Sequence, residues 1–180
     1  MSVTVSQGPK RIVCLTEETT ETLYLLGEEA RIVGISGFTV RPPQARKEKP
    51  KVSAFTSAKS DKILALEPDL VLGFSYLHAD ISAQLIRAGV AVHVFNQRTV
   101  AGIFDMICTL GAMVGATVKT PALIAELRAG LAAIEQSAPR FPRRPRIYFE
   151  EWDEPLFTCI GWVSVLIHIV CGEDIFPVLV

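Results

Sequence analysis

The sequence predicts an α/β protein with a parallel-sheet N-terminal lobe, a long connecting helix and an incomplete second α/β lobe. Short apolar runs alternate with helical patterns in the first half, which is typical of βαβ units and a parallel sheet. One long helical pattern follows, and after it only a strand, an acidic loop and one helix, which cannot bury a core alone. The predicted boundaries are 1–115 for the first lobe, 116–140 for the helix and 141–180 for the start of the second lobe.

The predicted strands of the first lobe are short, mostly apolar runs, and the run at residues 11–15 suits a strand buried on both faces. They cover residues 11–15, 31–35, 70–74 and 91–95, and residues 51–55 are predicted to be a brief extended piece. The predicted helices cover 16–27, 61–66, 78–88 and 100–114, and 36–50 is predicted to be a proline-rich loop.

A single helix over 117–138 is predicted to join the lobes. Thr120 is predicted to be its N-cap, with Pro121 at the first helical position. About 20 residues at 1.5 Å each give a rod of roughly 30 Å. Its apolar residues recur at spacings of one, three and four, which places them on one stripe. They are Leu123, Ile124, Leu127, Leu131 and Ile134.

Beyond the long helix, three elements are predicted. Residues 146–149 are predicted to form a strand, 150–156 an acidic, aromatic loop and 162–170 a helix. Because three such elements are too few to bury a core, this segment is predicted to be the beginning of a second lobe rather than a complete one.

Composition excludes several classes of function. A formal net charge of −1 lacks the basic excess that nucleic-acid binding needs. None of the four cysteines has C-x-x-C spacing, so a zinc or redox site is not expected. Cys14 and Cys108 are predicted to be buried thiols. A disulfide between Cys159 and Cys171 is kept as an alternative. The chain shows no nucleophile elbow, P-loop or dinucleotide fingerprint, so an enzyme is not expected.

The candidate ligand-binding residues follow the predicted strands, because ligands of open parallel sheets bind outside the carboxyl ends of the strands. Aromatic walls with a few polar groups are typical of small-molecule sites. The candidates in the first lobe are Thr16, Glu17, Glu18, Phe38, Arg41, Phe55, Thr56, Phe74, Ser75, Tyr76, Asn96 and Gln97. Helix-dipole contacts for the two glutamates and core packing for the phenylalanines remain alternatives. In the second lobe Glu151 and Trp152 are candidates, since an indole in an acidic loop needs a surface or a ligand to stack on.

Several segments resemble one protein family. The opening RIVCLTEETTETLYLLGEEARIVGISG is similar to that of the helical-backbone class of substrate-binding proteins for iron-siderophore and cobalamin ABC importers. DKILALEPDLVLG and AQLIRAGVAVHVFNQ are similar to internal motifs of that class. RIYFEEWDEPLFTCIGWVSVLIHIVCGEDIF resembles the start of the second lobe in the cobalamin-binding branch. The resemblance covers about residues 10–176.

This resemblance implies two α/β lobes joined by a rigid helix, with the transported ligand, cobalamin or a related corrinoid, held between them and no intrinsic cofactor. It implies that Phe38, Arg41, Phe55 and Phe74 lie on one side of the ligand and Trp152 on the other. Ferric-siderophore or haem binding is the nearest alternative.

The resemblance also implies an ABC-importer permease as partner, with Asp61 docking onto its basic residues. Members of the class work outside the cytoplasmic membrane, but the N-terminus has no apolar signal region. The expected compartment is therefore periplasmic by resemblance and cytoplasmic if Met1 is the native start. A different alternative is a truncated, non-transporting interaction protein that forms a homodimer through residues 162–170.

Overall fold

The computed structural model describes residues 8–53, 59–139 and 141–177. The chain divides into two compact units, with residues 1–96 and 106–121 in unit 1 and residues 97–105 and 122–180 in unit 2. Among the described residues, no helix combines the length and the apolar character needed to cross a membrane.

Unit 1 contains a five-stranded sheet in which every neighbouring pair is parallel. The strands are β1 (Ile12–Cys14), β2 (Ile32–Ser36), β3 (Lys51–Ser53), β4 (Leu70–Phe74) and β5 (Ala91–Phe95). Their order is β3-β2-β1-β4-β5, so the fully buried β1 occupies the centre. The predicted parallel α/β sheet is therefore confirmed.

Seven α-helices accompany the strands in the described part of the chain. They are α1 (Glu17–Leu25), α2 (Pro43–Glu48), α3 (Ser60–Leu64), α4 (Ala79–Arg87), α5 (Val100–Met113), α6 (Lys119–Ser137) and α7 (Gly161–Ile169). Two short 3-10 helices cover Glu29–Arg31 and Tyr76–His78.

Helix α2 corrects the prediction of an unbroken loop over 36–50. Pro43 stands at its first position, where proline's missing N–H costs nothing and its fixed φ suits a helix. Ala45 is fully buried, and the Arg46 guanidinium donates to the carbonyl oxygens of Gly37 (2.7 Å) and Thr39 (2.8 Å). Tertiary contacts thus stabilise a helix too short and too polar to be recognised from periodicity.

The core of unit 1 contains alternate residues of the strands packed against α3 and α4. Its buried residues are Val13, Leu15, Val52, Ile63, Val71, Ile81 and Leu85. This packing covers one face of the sheet.

The predicted long helix is confirmed as α6, a 19-residue helix that begins two residues later than expected. The predicted N-cap is wrong, because Thr120 already lies inside the helix and Pro121 is its third residue. The Thr120 hydroxyl instead donates to the Ala116 carbonyl oxygen at 2.8 Å. A Cβ added to Gly111 of α5 would clash with Thr120, so this glycine permits the close approach of the two helices.

The predicted apolar stripe of α6 is buried only in part. Leu123 is 9% exposed, whereas Leu127 and Ile134 are 37% and 48% exposed. Helix α6 begins in unit 1 and continues in unit 2, and α5 likewise contains residues of both units.

Unit 2 holds two small sheets beside α7. Strands β6 (Arg146–Ile147) and β9 (Glu173–Asp174) pair in parallel, and β7 (Glu150–Asp153) pairs antiparallel with β8 (Leu156–Thr158). The predicted acidic loop over 150–156 is therefore wrong, because these residues form a hairpin. Asp153 pairs with Leu156, which leaves only Glu154 and Pro155 in the turn. The many acidic residues of this segment obscured its strand pattern in the sequence. In the structure, the two-residue turn sets the register of the strand pairing.

The four cysteines are free thiols. The alternative of a Cys159–Cys171 disulfide is therefore wrong. Cys108 is exposed, contrary to prediction, whereas its neighbours Met106 and Ile107 provide the buried side of α5.

Candidate functional site

Parallel pairing brings the carboxyl ends of β1, β2, β4 and β5 to one edge of the unit 1 sheet. Most of the predicted ligand-binding residues of unit 1 follow these strands. Those described are Thr16, Glu17, Glu18, Phe38, Arg41, Phe74, Ser75, Tyr76 and Asn96. Phe55 and Thr56 lie outside the described residues. The sequence-based prediction thus selected loops that lie at the same edge of the sheet. The hydrogen bonds and packing within each loop determine which of these side chains are exposed.

The polar groups that follow β1 mostly form hydrogen bonds with one another. Thr16 is 4% exposed, and its carbonyl oxygen accepts from the hydroxyls of Thr19 (3.2 Å) and Thr20 (3.1 Å). Burial raises the pKa of the Cys14 thiol to about 12, so this group stays protonated and unreactive. The loop supplies a rigid base rather than reactive groups.

Glu17 joins the β1 and β2 loops. Its Oε1 atom accepts the backbone N–H groups of Val40 and Arg41, both at 3.1 Å. The Arg41 guanidinium lies 2.7 Å from Glu21 Oε1, while the Arg41 side chain remains 72% exposed. Glu21 was not predicted as a site residue, because its only sequence signal is its position four residues after Glu17 on the same helix. The pair orients a cation at the sheet edge and contributes little stability by itself.

Two aromatic side chains at this edge are largely exposed. Phe38 after β2 is 59% exposed, and Tyr76 after β4 is 79% exposed. Large exposed aromatic groups provide contact area at low entropic cost, which favours binding of an apolar or planar ligand face.

The corner after β4 has an unusual backbone. Ser75 has φ of 53° and ψ of −173°, a region that is nearly restricted to glycine and costs about 1–3 kcal/mol. Its backbone N–H donates to the Phe95 carbonyl oxygen at 2.7 Å, and its hydroxyl accepts the Leu77 N–H at 3.4 Å. The buried imidazole of His78 accepts the Phe74 N–H at Nδ1, 2.9 Å away. His78 was missed by the sequence reasoning, because only the folded corner shows this contact.

The remaining predicted site residues, Gln97, Glu151 and Trp152, belong to unit 2. Glu151 and Trp152 lie on β7, where the indole is 61% exposed and its Nε1–H donates to the Glu154 carbonyl oxygen at 3.0 Å. Across the hairpin, Trp152 pairs with Phe157, which is 57% exposed. The hairpin therefore presents an oriented aromatic surface.

A buried polar network supports this hairpin, and no sequence motif marks it. The Asp174 carboxylate accepts from the Ser164 hydroxyl, from the Cys159 thiol (3.2 Å) and from the Phe176 N–H (3.0 Å). The Ser164 hydroxyl is the main cause that lowers the pKa of Asp174, against the opposing effect of burial. Burial, together with the Asp174 charge, raises the pKa of the Cys159 thiol. The network connects β9 to α7 and to the residue that follows β8.

Asp61, the predicted permease-docking residue, is exposed in the first turn of α3. In the part of the chain that the structure describes, no group of three or more histidine, cysteine, aspartate or glutamate side chains is placed to hold a metal ion.

A family model described as periplasmic binding protein matches residues 12–179. The chain belongs to this family. It is 29% identical over 156 residues to a cobalamin-binding protein of Halobacterium salinarum, covering 84% of this chain and 42% of the relative. It is 29% identical over 177 residues to a vitamin B12-binding protein of Vibrio campbellii, covering 95% and 63%. The chain thus spans 42% and 63% of the length of these two curated relatives.

Solved structures of the family share the fold. The periplasmic haem-binding protein RhuT from Roseiflexus sp. RS-1 superposes with a TM-score of 0.82 at 24% identity, covering 93% of this chain and 66% of that one. The vitamin B12-binding protein BtuF of Vibrio cholerae superposes with a TM-score of 0.77 at 21% identity, covering 96% and 68%. The predicted membership in the cobalamin and iron-siderophore class of substrate-binding proteins is confirmed, while the neighbours' ligands differ.

Proposed function

We propose that this chain is a substrate-binding protein of an ABC importer that binds cobalamin or a related corrinoid. The observation that carries the proposal is the exposure of two aromatic side chains, Phe38 and Tyr76, in loops at the carboxyl edge of a parallel sheet. A corrin ring offers a broad face for such side chains, and Arg41 and Asn96 supply polar contacts for its amide periphery. The proteins named for cobalamin or vitamin B12 that match over 84% and 95% of this chain support this ligand class.

Trp152 is the proposed stacking residue of unit 2, with Glu151 as a neighbouring polar contact. The indole is oriented by its own hydrogen bond to Glu154 and remains mostly exposed. Such an anchor binds a ligand face without first losing much side-chain freedom.

Isothermal titration of the folded protein with cyanocobalamin tests this function. Trp152→Ala is expected to weaken binding at least about tenfold, or about 1.4 kcal/mol. Leu156→Ala is the matched control, since Leu156 is 57% exposed on the same hairpin, close to the 61% of Trp152, and has no aromatic ring. Absence of binding at high micromolar corrinoid would contradict the proposal.

Haem or a ferric siderophore is the second candidate ligand, favoured by the close fold match to a haem-binding protein. Titrations with hemin and with a ferric siderophore under the same conditions separate the two classes. Tighter binding of either one than of cyanocobalamin would assign the chain to that class instead.

The proposed partner is the importer permease, with Asp61 as a docking residue. Its exposed carboxylate can meet a basic side chain without a large desolvation cost. Asp61→Lys is expected to weaken binding to the permease in nanodiscs, whereas Asp80→Lys, also exposed but on α4, should have little effect. This role requires the chain to reach the outer side of the cytoplasmic membrane, which cell fractionation tests.

Self-association without transport is the alternative from another class. Val165 and Val170 at α7 are 42% and 44% exposed, which favours a homodimer through this segment. A monodisperse monomer in light scattering would count against it.

A further inference from the structure

We propose that Glu17 and Arg46 are positioning residues that hold the loop after β2, residues 37–41, in one conformation and so present Phe38 and Val40 to the ligand. Val40 is thereby assigned as a further ligand contact beside Phe38. This inference rests on the proposed function for its effect on ligand affinity, whereas the conformation of the loop can be measured without a ligand.

Glu17 binds the loop through the backbone donors at its far end. The Oε1 atom of Glu17, in the first turn of α1, accepts the N–H groups of Val40 and Arg41, both at 3.1 Å. Hydrogen bonds that involve an ionised group are about twice as strong as those between neutral groups. Because α1 begins shortly after the buried central strand β1, this one carboxylate oxygen connects the loop to a rigid part of the sheet.

Arg46 binds the same loop through its backbone acceptors. Its Nη1 atom donates to the carbonyl oxygens of Gly37 at 2.7 Å and Thr39 at 2.8 Å. Arg46 belongs to α2, which follows the loop, whereas Glu17 belongs to α1, which precedes it. An anion on one helix therefore binds N–H groups of the loop, and a cation on the other helix binds its carbonyl groups.

The middle of the loop contains a buried hydroxyl group that disfavours the observed conformation. Thr39 is 0% exposed, and within the described residues its Oγ1 atom has no hydrogen-bond partner. Burying a hydroxyl without a partner costs free energy, so such a conformation persists only when the surrounding contacts hold it in place. Loss of a charged contact should therefore let the loop rearrange, because rearrangement gives the Thr39 hydroxyl access to water.

The side chains on either side of Thr39 are exposed and apolar. Phe38 is 59% exposed and Val40 is 56% exposed. Both lie at the carboxyl edge of the sheet, where ligands of parallel sheets bind. When such side chains are held in place before the ligand arrives, less conformational freedom is lost on binding. The hydrogen bonds of Glu17 and Arg46 thus favour binding of an apolar ligand face by Phe38 and Val40.

The test uses variants that separate the hydrogen bonds from the other roles of the same side chains. Glu17→Gln keeps an Oε1 acceptor for both N–H groups, and Glu17→Ala removes it. Arg46→Met keeps an apolar stem and removes the donors; its matched control is Lys47→Ala, which deletes the neighbouring exposed cation of α2. The matched control for Val40→Ala is Leu25→Ala, since Leu25 is 53% exposed at the end of α1.

Affinity is measured by isothermal titration with cyanocobalamin, hemin and a ferric siderophore. For a ligand that the wild type binds, Glu17→Ala, Arg46→Met and Val40→Ala should each weaken binding at least about fivefold. Glu17→Gln should bind at least about threefold more tightly than Glu17→Ala, and the Lys47 and Leu25 controls should stay within about twofold of the wild type. Equal affinities of Glu17→Gln and Glu17→Ala, or an unchanged affinity of Val40→Ala, would overturn the proposal.

Hydrogen exchange of backbone amides, followed by NMR in the free protein, tests the loop without a ligand. The N–H groups of Val40 and Arg41 should exchange at least about fivefold faster in Glu17→Ala than in wild type, and Glu17→Gln should restore their protection. The Leu23 N–H of α1 should exchange at the same rate in all three proteins, which separates release of the loop from unfolding of the helix.

These two measurements fail in different ways. If the wild type binds none of the three ligands, the proposed function fails, and the exchange rates alone decide whether Glu17 holds the loop. Equal exchange of the Val40 and Arg41 amides in wild type and Glu17→Ala, or equally faster exchange at Leu23, refutes the inference.

Discussion

Replacing Asp174 by alanine should destabilise unit 2 selectively, because this carboxylate is the common acceptor of its buried polar network. Asp174 is 6% exposed, and its two side-chain donors, Ser164 and Cys159, are 9% and 3% exposed. The substitution leaves a hydroxyl and a thiol without their acceptor in a site that water barely reaches. Glu173→Ala is the matched control, since Glu173 precedes Asp174 in β9 and is exposed.

The size of the effect follows from the contacts. A hydrogen bond to a charged group contributes about 1.5–3 kcal/mol, and a buried donor without a partner costs about 1–3 kcal/mol. Because these contributions overlap and the thiol is a weak donor, we expect a loss of about 2–4 kcal/mol in the free energy of unfolding of unit 2. The exposed control should change by less than about 0.5 kcal/mol.

The assay is urea unfolding followed by tryptophan fluorescence. The chain has two tryptophans, Trp152 and Trp162, and both belong to unit 2, so this signal reports on that unit. Far-UV circular dichroism measured on the same samples also follows unit 1.

Acidification provides an independent check, and its sign follows from the lowered pKa of Asp174. The carboxylate contributes stability that is present above its ordinary pKa of 3.8 and is lost as the pH falls through the lower folded value. The difference between wild type and Asp174→Ala should therefore shrink below about pH 4. A difference that grows on acidification, or an alanine variant as stable as the Glu173→Ala control, would refute the reasoning.

Two further predictions concern packing. Leu26→Ala should lower the free energy of unfolding by about 2–5 kcal/mol because Leu26 is fully buried. Leu25→Ala should lower it little, because Leu25 is 53% exposed. Urea unfolding followed by circular dichroism measures both variants, and equal losses of stability would contradict the difference in burial. Gly111→Ala should destabilise by about 1–3 kcal/mol through its clash with Thr120. Gly130→Ala, where nothing lies within 4 Å of the added methyl group, should instead stabilise α6 by about 0.5–1 kcal/mol; a stabilised Gly111→Ala would show that the helices do not approach so closely.

The sequence could predict those elements that show a clear hydrophobic pattern along the chain. Residues 70–74 are apolar and residues 91–95 are apolar except for His93, and β4 and β5 have these bounds. Residues 51–55 were expected to be a brief extended piece, and strand β3 covers Lys51–Ser53, with residues 54–58 outside the described part. The candidate ligand loops were found by the same logic, because the carboxyl ends of parallel strands must share an edge.

The sequence by itself determined the α/β class, the long helix and the motifs of the periplasmic binding protein family. These depend on hydrophobic periodicity and on local order along the chain. Only the tertiary structure decided that residues 150–158 form a hairpin, that Thr120 contacts Gly111 instead of capping α6, and that His78 supports the Tyr76 corner. The physical reason is that these contacts depend on the direction of individual donors and acceptors, which have no periodic trace in the sequence. Asp174 shows this most clearly, since its partners Cys159 and Ser164 lie 15 and 10 residues away and meet it only in the folded unit.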